Sequence, residues 1–107
     1  MEPFTVYDLE KRVQTRAKAD PGASYTRTLV DKGVAHCAKK LGEEAVEVAI
    51  AAIAEDRTRL VAETADLLYH LLVLLESRQV ALADVLAELK KRSGVSGLAE
   101  KAARAKP

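Results

Sequence analysis

The stretch KLGEEAVEVAIAAIAEDRTRLVAETAD, residues Lys40 to Asp66, decides how this chain folds. Read as helix, its first half places Lys40, Glu43, Glu44 and Glu47 at i, i+3, i+4 and i+7, so four polar side chains leave one face within two turns. The second half places Glu63 and Asp66 three apart, with His70 one further turn along the same face. Glu55-Asp56-Arg57-Thr58 lies between the two halves and reads as a turn, with Asp56 or Thr58 available to cap the helix that follows. If the chain reverses there, Glu47 and Glu44 lie roughly 13 and 18 Å before the turn and Glu63 and Asp66 roughly 10 and 15 Å after it. The two acidic clusters then face each other at one height.

Carboxylates gathered in this way repel each other by roughly 3 kcal/mol per pair at about 5 Å and an effective dielectric of about 20. A cation is expected among them. An all-oxygen set with no cysteine nearby suits a hard divalent ion, Mg²⁺ or Mn²⁺, better than zinc. Magnesium held by a few carboxylates keeps positions open for water and phosphate oxygens, so the pattern points to a metal-phosphate site. An EExxE motif alone is common on solvated helix faces. Here a second cluster stands at matching height, and both are embedded in apolar sequence, AVEVAIAAI after the first and LLYHLLVLL after the second.

The 107 residues make a single domain, spanning 1–107, with a modest core. Hydrophobic residues form 49% of the chain but aromatic ones only 4%, and the abundance of alanine and leucine favours an all-α fold over sheet. A net charge of +1 implies no bulk attraction to nucleic acid or to a membrane surface, so any phosphate binding is local. The lone Cys37 excludes an internal disulfide framework, fits a reducing compartment and reads as a packing residue. The start lacks an apolar targeting core and the leucine-rich run is too short and interrupted to span a bilayer. A cytoplasmic location is expected.

The remaining elements fall around the acidic pair. Thr5 to about Ala19 is a helix with a narrow apolar face of Val6, Leu9, Val13 and Ala17, stopped by Asp20-Pro21-Gly22. SYTRTLVDKG forms a short segment anchored by Leu29 and Val30, with Gly33 just past its end. Its basic residues Arg27 and Lys32 are placed to meet phosphates. A long helix from about Val34 to Ala54 turns Leu41, Ala45, Val48, Ala49, Ala52 and Ile53 inward, and Gly42 within it marks a close approach by another backbone. The next, about Arg57 to Arg78, is apolar nearly all round through Leu67, Leu68, Leu71, Leu72, Val73, Leu74 and Leu75, which calls for burial on every side and hence for a subunit partner. Its His70 reads as a satisfied buried histidine. Val80 to Arg92 follows, with Leu82, Val85, Leu86 and Leu89 inward and no decisive cap, then a short helix from Leu98 to about Ala105 with a basic tail of Lys101, Arg104 and Lys106.

Taken together, SYTRTLVDKG, KKLGEEAVEVAIAA, ETADLLYHLLVLL and ADVLAELKKRSGVSGLAEKA resemble the phosphoribosyl-ATP pyrophosphohydrolases, which act at the second step of histidine biosynthesis. The likeness runs from Ser24 to about Ala103. EExxE with ExxD is shared by the wider all-α NTP pyrophosphatase (MazG-like) superfamily, whereas SYT, ADLLYHLLVLL and SGLxEKA narrow the resemblance. Ser93, where histidine is expected, and the KAARAKP ending depart from the pattern.

The resemblance implies a four- to five-helix, bundle-like NTP pyrophosphatase fold in an intertwined homodimer, and Mg²⁺-dependent hydrolysis of phosphoribosyl-ATP to phosphoribosyl-AMP and pyrophosphate. It places metal ligands at Glu44, Glu47, Glu63 and Asp66, with Glu43 as the further acid of the motif. Glu43 or Glu47 is the expected proton acceptor, and Lys40 the foremost phosphate contact. Two other readings share the acidic core: a housecleaning pyrophosphatase acting on other nucleoside triphosphates, and a non-catalytic, metal-binding helical dimer.

Overall fold

The structure, a computed structural model, describes residues 2–94 and 97–105, with the backbone alone at 98–100 and 105. Among the described residues there are six helices and no strand: α1 Val6–Ala17, α2 Tyr25–Asp31, α3 Val34–Ala54, α4 Arg57–Ser77, α5 Leu82–Arg92 and α6 Gly97–Ala105. SYTRTLVDKG is thus a helix in its own right, which brings the number to six against the expected four or five. Lys106 of the expected basic tail lies outside the described residues.

Local chemistry sets the boundaries. Thr5 and Asp8 form a reciprocal capping box at the start of α1. Ser24 caps α2 by accepting from the Arg27 N–H, and Asp56 caps α4 by accepting from the Arg59 N–H at 2.9 Å. Gly33, at φ +98°, closes α2 and opens α3, a backbone region that excludes most side chains. Only Lys32 and Gly33 thus separate the two helices. At the end of α4, Gln79 takes the left-handed conformation at φ 55°, while the Val80 and Gln79 N–H groups donate to the carbonyls of Leu75 and Glu76. This is a Schellman closure with glutamine where glycine is usual.

The helices α3 and α4 run antiparallel and form the most extensive pairing of the fold, with α1 and α2 laid across α4. Val13, Leu29, Cys37, Leu72, Val73 and Leu82 make one core cluster, with Leu9, Val30, Tyr69, Leu74 and Leu75 packed against it. Burying each of its larger side chains is worth about 1.5–3 kcal/mol. Cys37 donates its thiol to the Leu29 carbonyl at 3.3 Å, and burial pushes its pKa up, so it is the packing residue its sequence context suggests.

Three expectations about packing are corrected. Gly42 marks no close approach: a Cβ there meets no heavy atom within 4 Å. On α3 the buried positions are Cys37, Glu44 and Ala51, while Ala45, Ala49, Ala52 and Ile53 face outward, Ile53 at 88% exposure. The periodicity is genuine, but α4 covers a face rotated from the one with the most apolar area. On α5, Leu82 is buried while Val85, Leu86 and Leu89 stay exposed, because the chain folds nothing over them among the described residues. The cap of α5 is also tertiary: its Leu82 N–H donates to Glu10 Oε2, 72 residues away, at 2.7 Å. A carboxylate there also complements the positive end of the helix dipole.

Candidate metal centre

The antiparallel hairpin sets the register of the site. Glu44 on α3 meets His70 on α4, with Glu44 Oε1 at 3.9 Å from His70 Nε2. One turn further along α3 and two turns back along α4, Glu47 lies against Glu63. One carboxylate oxygen each from Glu44, Glu63 and Asp66 then lie within 4.8 Å of one another. Glu44 and Glu63 are buried, at 9% and 6% exposure, and Asp66 stands at the open side.

Burial of two carboxylates beside a third is costly unless something answers the charge. The chain does so only in part. Arg59 Nη2 donates to Glu63 Oε1 at 2.7 Å, yet Glu63 Oε2 and Glu44 Oε2 are buried without a hydrogen-bond partner. Both acids are held above the ordinary carboxylate range. For Glu44 the main cause is burial, followed by the charges of Glu47 and Asp66; for Glu63 it is the carboxyl contact with Glu47, followed by burial. Oxygen donors with unfilled lone pairs and no thiolate fit a hard divalent cation.

The other sequence candidates divide between this cluster and the rest of the fold. Glu47 is solvent-accessible and touches both Glu44 and Glu63, so it sits at the mouth of the cluster. Glu43 points away from it and pairs with Lys40 at 3.5 Å and Lys39 at 4.0 Å. Lys40 is half-buried, and its pKa is raised by the Tyr25 phenol first and then by Glu43 and Glu44. Arg27 is committed elsewhere: its Nε donates to both Asp31 oxygens at 2.9 and 3.0 Å and its Nη1 to the Ala19 carbonyl at 2.7 Å. Lys32 is exposed at the C-terminal end of α2, where its charge complements the helix dipole.

His70 is buried as expected but not satisfied, since its Nδ1 has no partner. Burial, and then the Lys40 charge, holds its pKa low, leaving a neutral imidazole beside Glu44. It belongs to an aromatic wall: the Tyr69 ring meets it edge-on at 5.0 Å, and Tyr25 lies near-parallel to Tyr69 at 6.4 Å. Tyr69 also shares a 2.6 Å hydrogen bond with Thr26 Oγ1. Arg59, Tyr25 and Tyr69 were not among the sequence candidates. Arg59 was within reach, since it lies at i−4 from Glu63; the tyrosines are 44 residues apart and only the packing of α2 on α4 unites them.

The whole-chain comparisons agree with one another. A family model described as phosphoribosyl-ATP pyrophosphohydrolase matches residues 6–93. The chain is 57% identical over 104 residues to phosphoribosyl-ATP pyrophosphatase 1 of Bradyrhizobium diazoefficiens, covering 97% of this chain and 98% of that protein. It is 58% identical over 107 residues to the phosphoribosyl-ATP pyrophosphatase of Rhizobium meliloti, covering both chains in full.

Proposed function

We infer that this chain, which belongs to the phosphoribosyl-ATP pyrophosphohydrolase family, hydrolyses the α,β-phosphoanhydride of phosphoribosyl-ATP to phosphoribosyl-AMP and pyrophosphate, a step of histidine biosynthesis. The observation that carries the site is the pair of buried acids, Glu44 and Glu63, each with an oxygen left without a partner and both facing Asp66. Glu44, Glu63 and Asp66 would hold Mg²⁺, with Glu47 completing the set from the mouth of the cluster; Mn²⁺ satisfies the same donors. When bound, the ion supplies neutralisation of charge on the anhydride oxygens and a lowered pKa for nearby water.

The protein's own contribution is position and charge. Water attacks one phosphorus of the α,β bridge, the bridging P–O bond breaks in line, and the water proton must leave as the new bond forms. Glu47 is the proposed acceptor of that proton, because it reaches the cluster while remaining accessible to solvent. Glu43 serves the site through Lys40, whose ammonium it holds at 3.5 Å and which meets the polyphosphate. Arg27 and Lys32 are not needed for this role.

The active form is a homodimer. Val46, Ile50 and Ile53 form an exposed stripe on α3, and Val85, Leu86 and Leu89 another on α5. Apolar surface of this extent calls for a second copy of the chain. No helix among the described residues is long and apolar enough to cross a membrane, and with a single buried cysteine this supports a cytoplasmic enzyme.

The test is pyrophosphate release from phosphoribosyl-ATP with Mg²⁺ and after chelation, for the wild type and for Glu44→Ala. Release that requires the ion and is lost in the variant is expected. Undiminished release with Glu44 removed, or in full chelator, would refute the site.

A further inference from the structure

A cavity opens beside the aromatic wall, with Tyr25 and Tyr69 in its lining. It measures about 470 Å³ and is lined by Arg16, Ala23, Ser24, Tyr25, Thr26 and Tyr69. Three elements build it: the last turn of α1, the first turn of α2 and the middle of α4. Tyr69 and Tyr25 connect it to the metal centre, since both rings contact His70, at 5.0 and 6.3 Å between centroids, and His70 lies 3.9 Å from Glu44.

The lining is chemically mixed in a particular way. Tyr25 is 57% exposed and offers a flat face, while the Tyr69 hydroxyl is tied to Thr26. The Ser24 hydroxyl is likewise engaged, donating to the Arg16 carbonyl at 2.7 Å and accepting from the Arg27 N–H at 2.9 Å. The hydroxyls therefore fix the shape of the cavity. Its unanswered group is the Arg16 guanidinium, which forms no hydrogen bond or ion pair with the described residues. The contrast with Arg27, eleven positions on and bound by three contacts, is direct. An arginine with a free fork beside an aromatic face suits a phosphate monoester carried on a nucleoside.

We propose that this cavity receives the end of the substrate remote from the triphosphate, with Arg16 binding the 5-phosphate of the second, base-linked ribose and Tyr25 lying against the base. The proposal rests on the function inferred above. With the triphosphate at the carboxylates, the nucleoside must leave along the aromatic wall, and its far phosphate needs a cation clear of Glu44, Glu63 and Asp66. Arg16 is placed to supply it. The subsite then explains how a site whose acids would accept any nucleoside triphosphate selects one bearing a second phosphorylated ribose.

Product inhibition isolates this contact, because phosphoribosyl-AMP carries the remote phosphate and AMP does not. Inhibition constants for both would be measured in the Mg²⁺-loaded enzyme, for the wild type, Arg16→Gln and Arg16→Lys, with thermal melts to establish folding. Loss of one charge-assisted pair predicts a rise of about tenfold or more in the phosphoribosyl-AMP constant for Arg16→Gln, partial recovery in Arg16→Lys and an AMP constant within twofold of wild type. The KM for phosphoribosyl-ATP should rise in parallel, with kcat little changed. An unchanged phosphoribosyl-AMP constant in a folded variant overturns the subsite, as does an equal rise for both inhibitors, which would place Arg16 on the phosphate they share. Wild-type enzyme without turnover of phosphoribosyl-ATP would instead overturn the functional reading beneath it.

Discussion

The Arg27 contacts at the corner of α1 and α2 and the acids on the face where α3 meets α4 both gather charge, and they differ in whether that charge is answered. At the corner, Arg27 satisfies Asp31 and the Ala19 carbonyl with three bonds of 2.7–3.0 Å. On the α3–α4 face, two buried acids keep an oxygen each without a partner, and their pKa values are pushed up. A completed set of contacts is architecture; an incomplete one in a buried place is held against stability and marks where a ligand belongs.

The sharpest way to break this contrast is to remove one unanswered acid. Glu44→Gln should lower pyrophosphate release by about a thousandfold, the scale expected when a group acting on the reacting charge is lost. Its metal-free melting temperature should stay level or rise, since a repelling charge has gone. A large fall in metal-free stability would show that Glu44 is architectural after all.

Next in size is the effect of the metal and its pH dependence. At one hundred times its dissociation constant, Mg²⁺ should stabilise the fold by about 2.7 kcal/mol. Without metal the sign follows from the raised folded-state pKa values of Glu44 and Glu63. The native state binds more protons than the unfolded chain above the ordinary value of 4.5, so stability is highest at or below that pH and is lost as pH rises through the folded values. Mg²⁺ binds the deprotonated acids and should reverse that slope. Melts from pH 4 to pH 8 (about 0.5 unit apart), in chelator and in Mg²⁺, read both slopes; parallel curves would sink the prediction.

The answered Arg27 contacts should behave oppositely. Arg27→Ala should cost about 1–2 kcal/mol, chiefly by stranding the Ala19 carbonyl, and lower the melting temperature by several degrees. Its kcat should remain within about twofold of wild type, which a phosphate-binding role for Arg27 would not allow. The smallest effect is expected at the remote cap of α5: Glu10→Ala removes the partner of the Leu82 N–H and should cost about 1 kcal/mol, with activity retained. Chemical denaturation with matched kinetics would separate these two from the site variants.

Much of this was legible in the chain. Asp56, Ser24, Thr5 and Gly33 act locally, through hydrogen bonds three residues away or a single backbone angle, so they could be placed from sequence alone. The facing of Glu44 with Glu63 and Asp66 needed only helical rise and one turn, and the family resemblance followed from contiguous motifs. The inward faces of α3 and α5 were misjudged because hydrophobic periodicity records every surface that must leave water. It does not distinguish one covered by the same chain from one such as Ile53 or Leu89 that this fold leaves open.

Sequence by itself therefore determined the long helices, the turn between the acidic halves and the facing of Glu44 with Glu63 and Asp66. Those depend on residue type, short spacing and fixed helical geometry. Only the tertiary structure decided that Arg27 is bound while the Arg16 guanidinium has no hydrogen bond or ion pair among the described residues, that Glu43 turns to Lys40 and Glu47 to the cluster, that Glu10 caps α5, and that Tyr25 and Tyr69 share a wall with His70. Each is a meeting of side chains set by the angle at which one helix lies on another, and a linear pattern does not carry that angle.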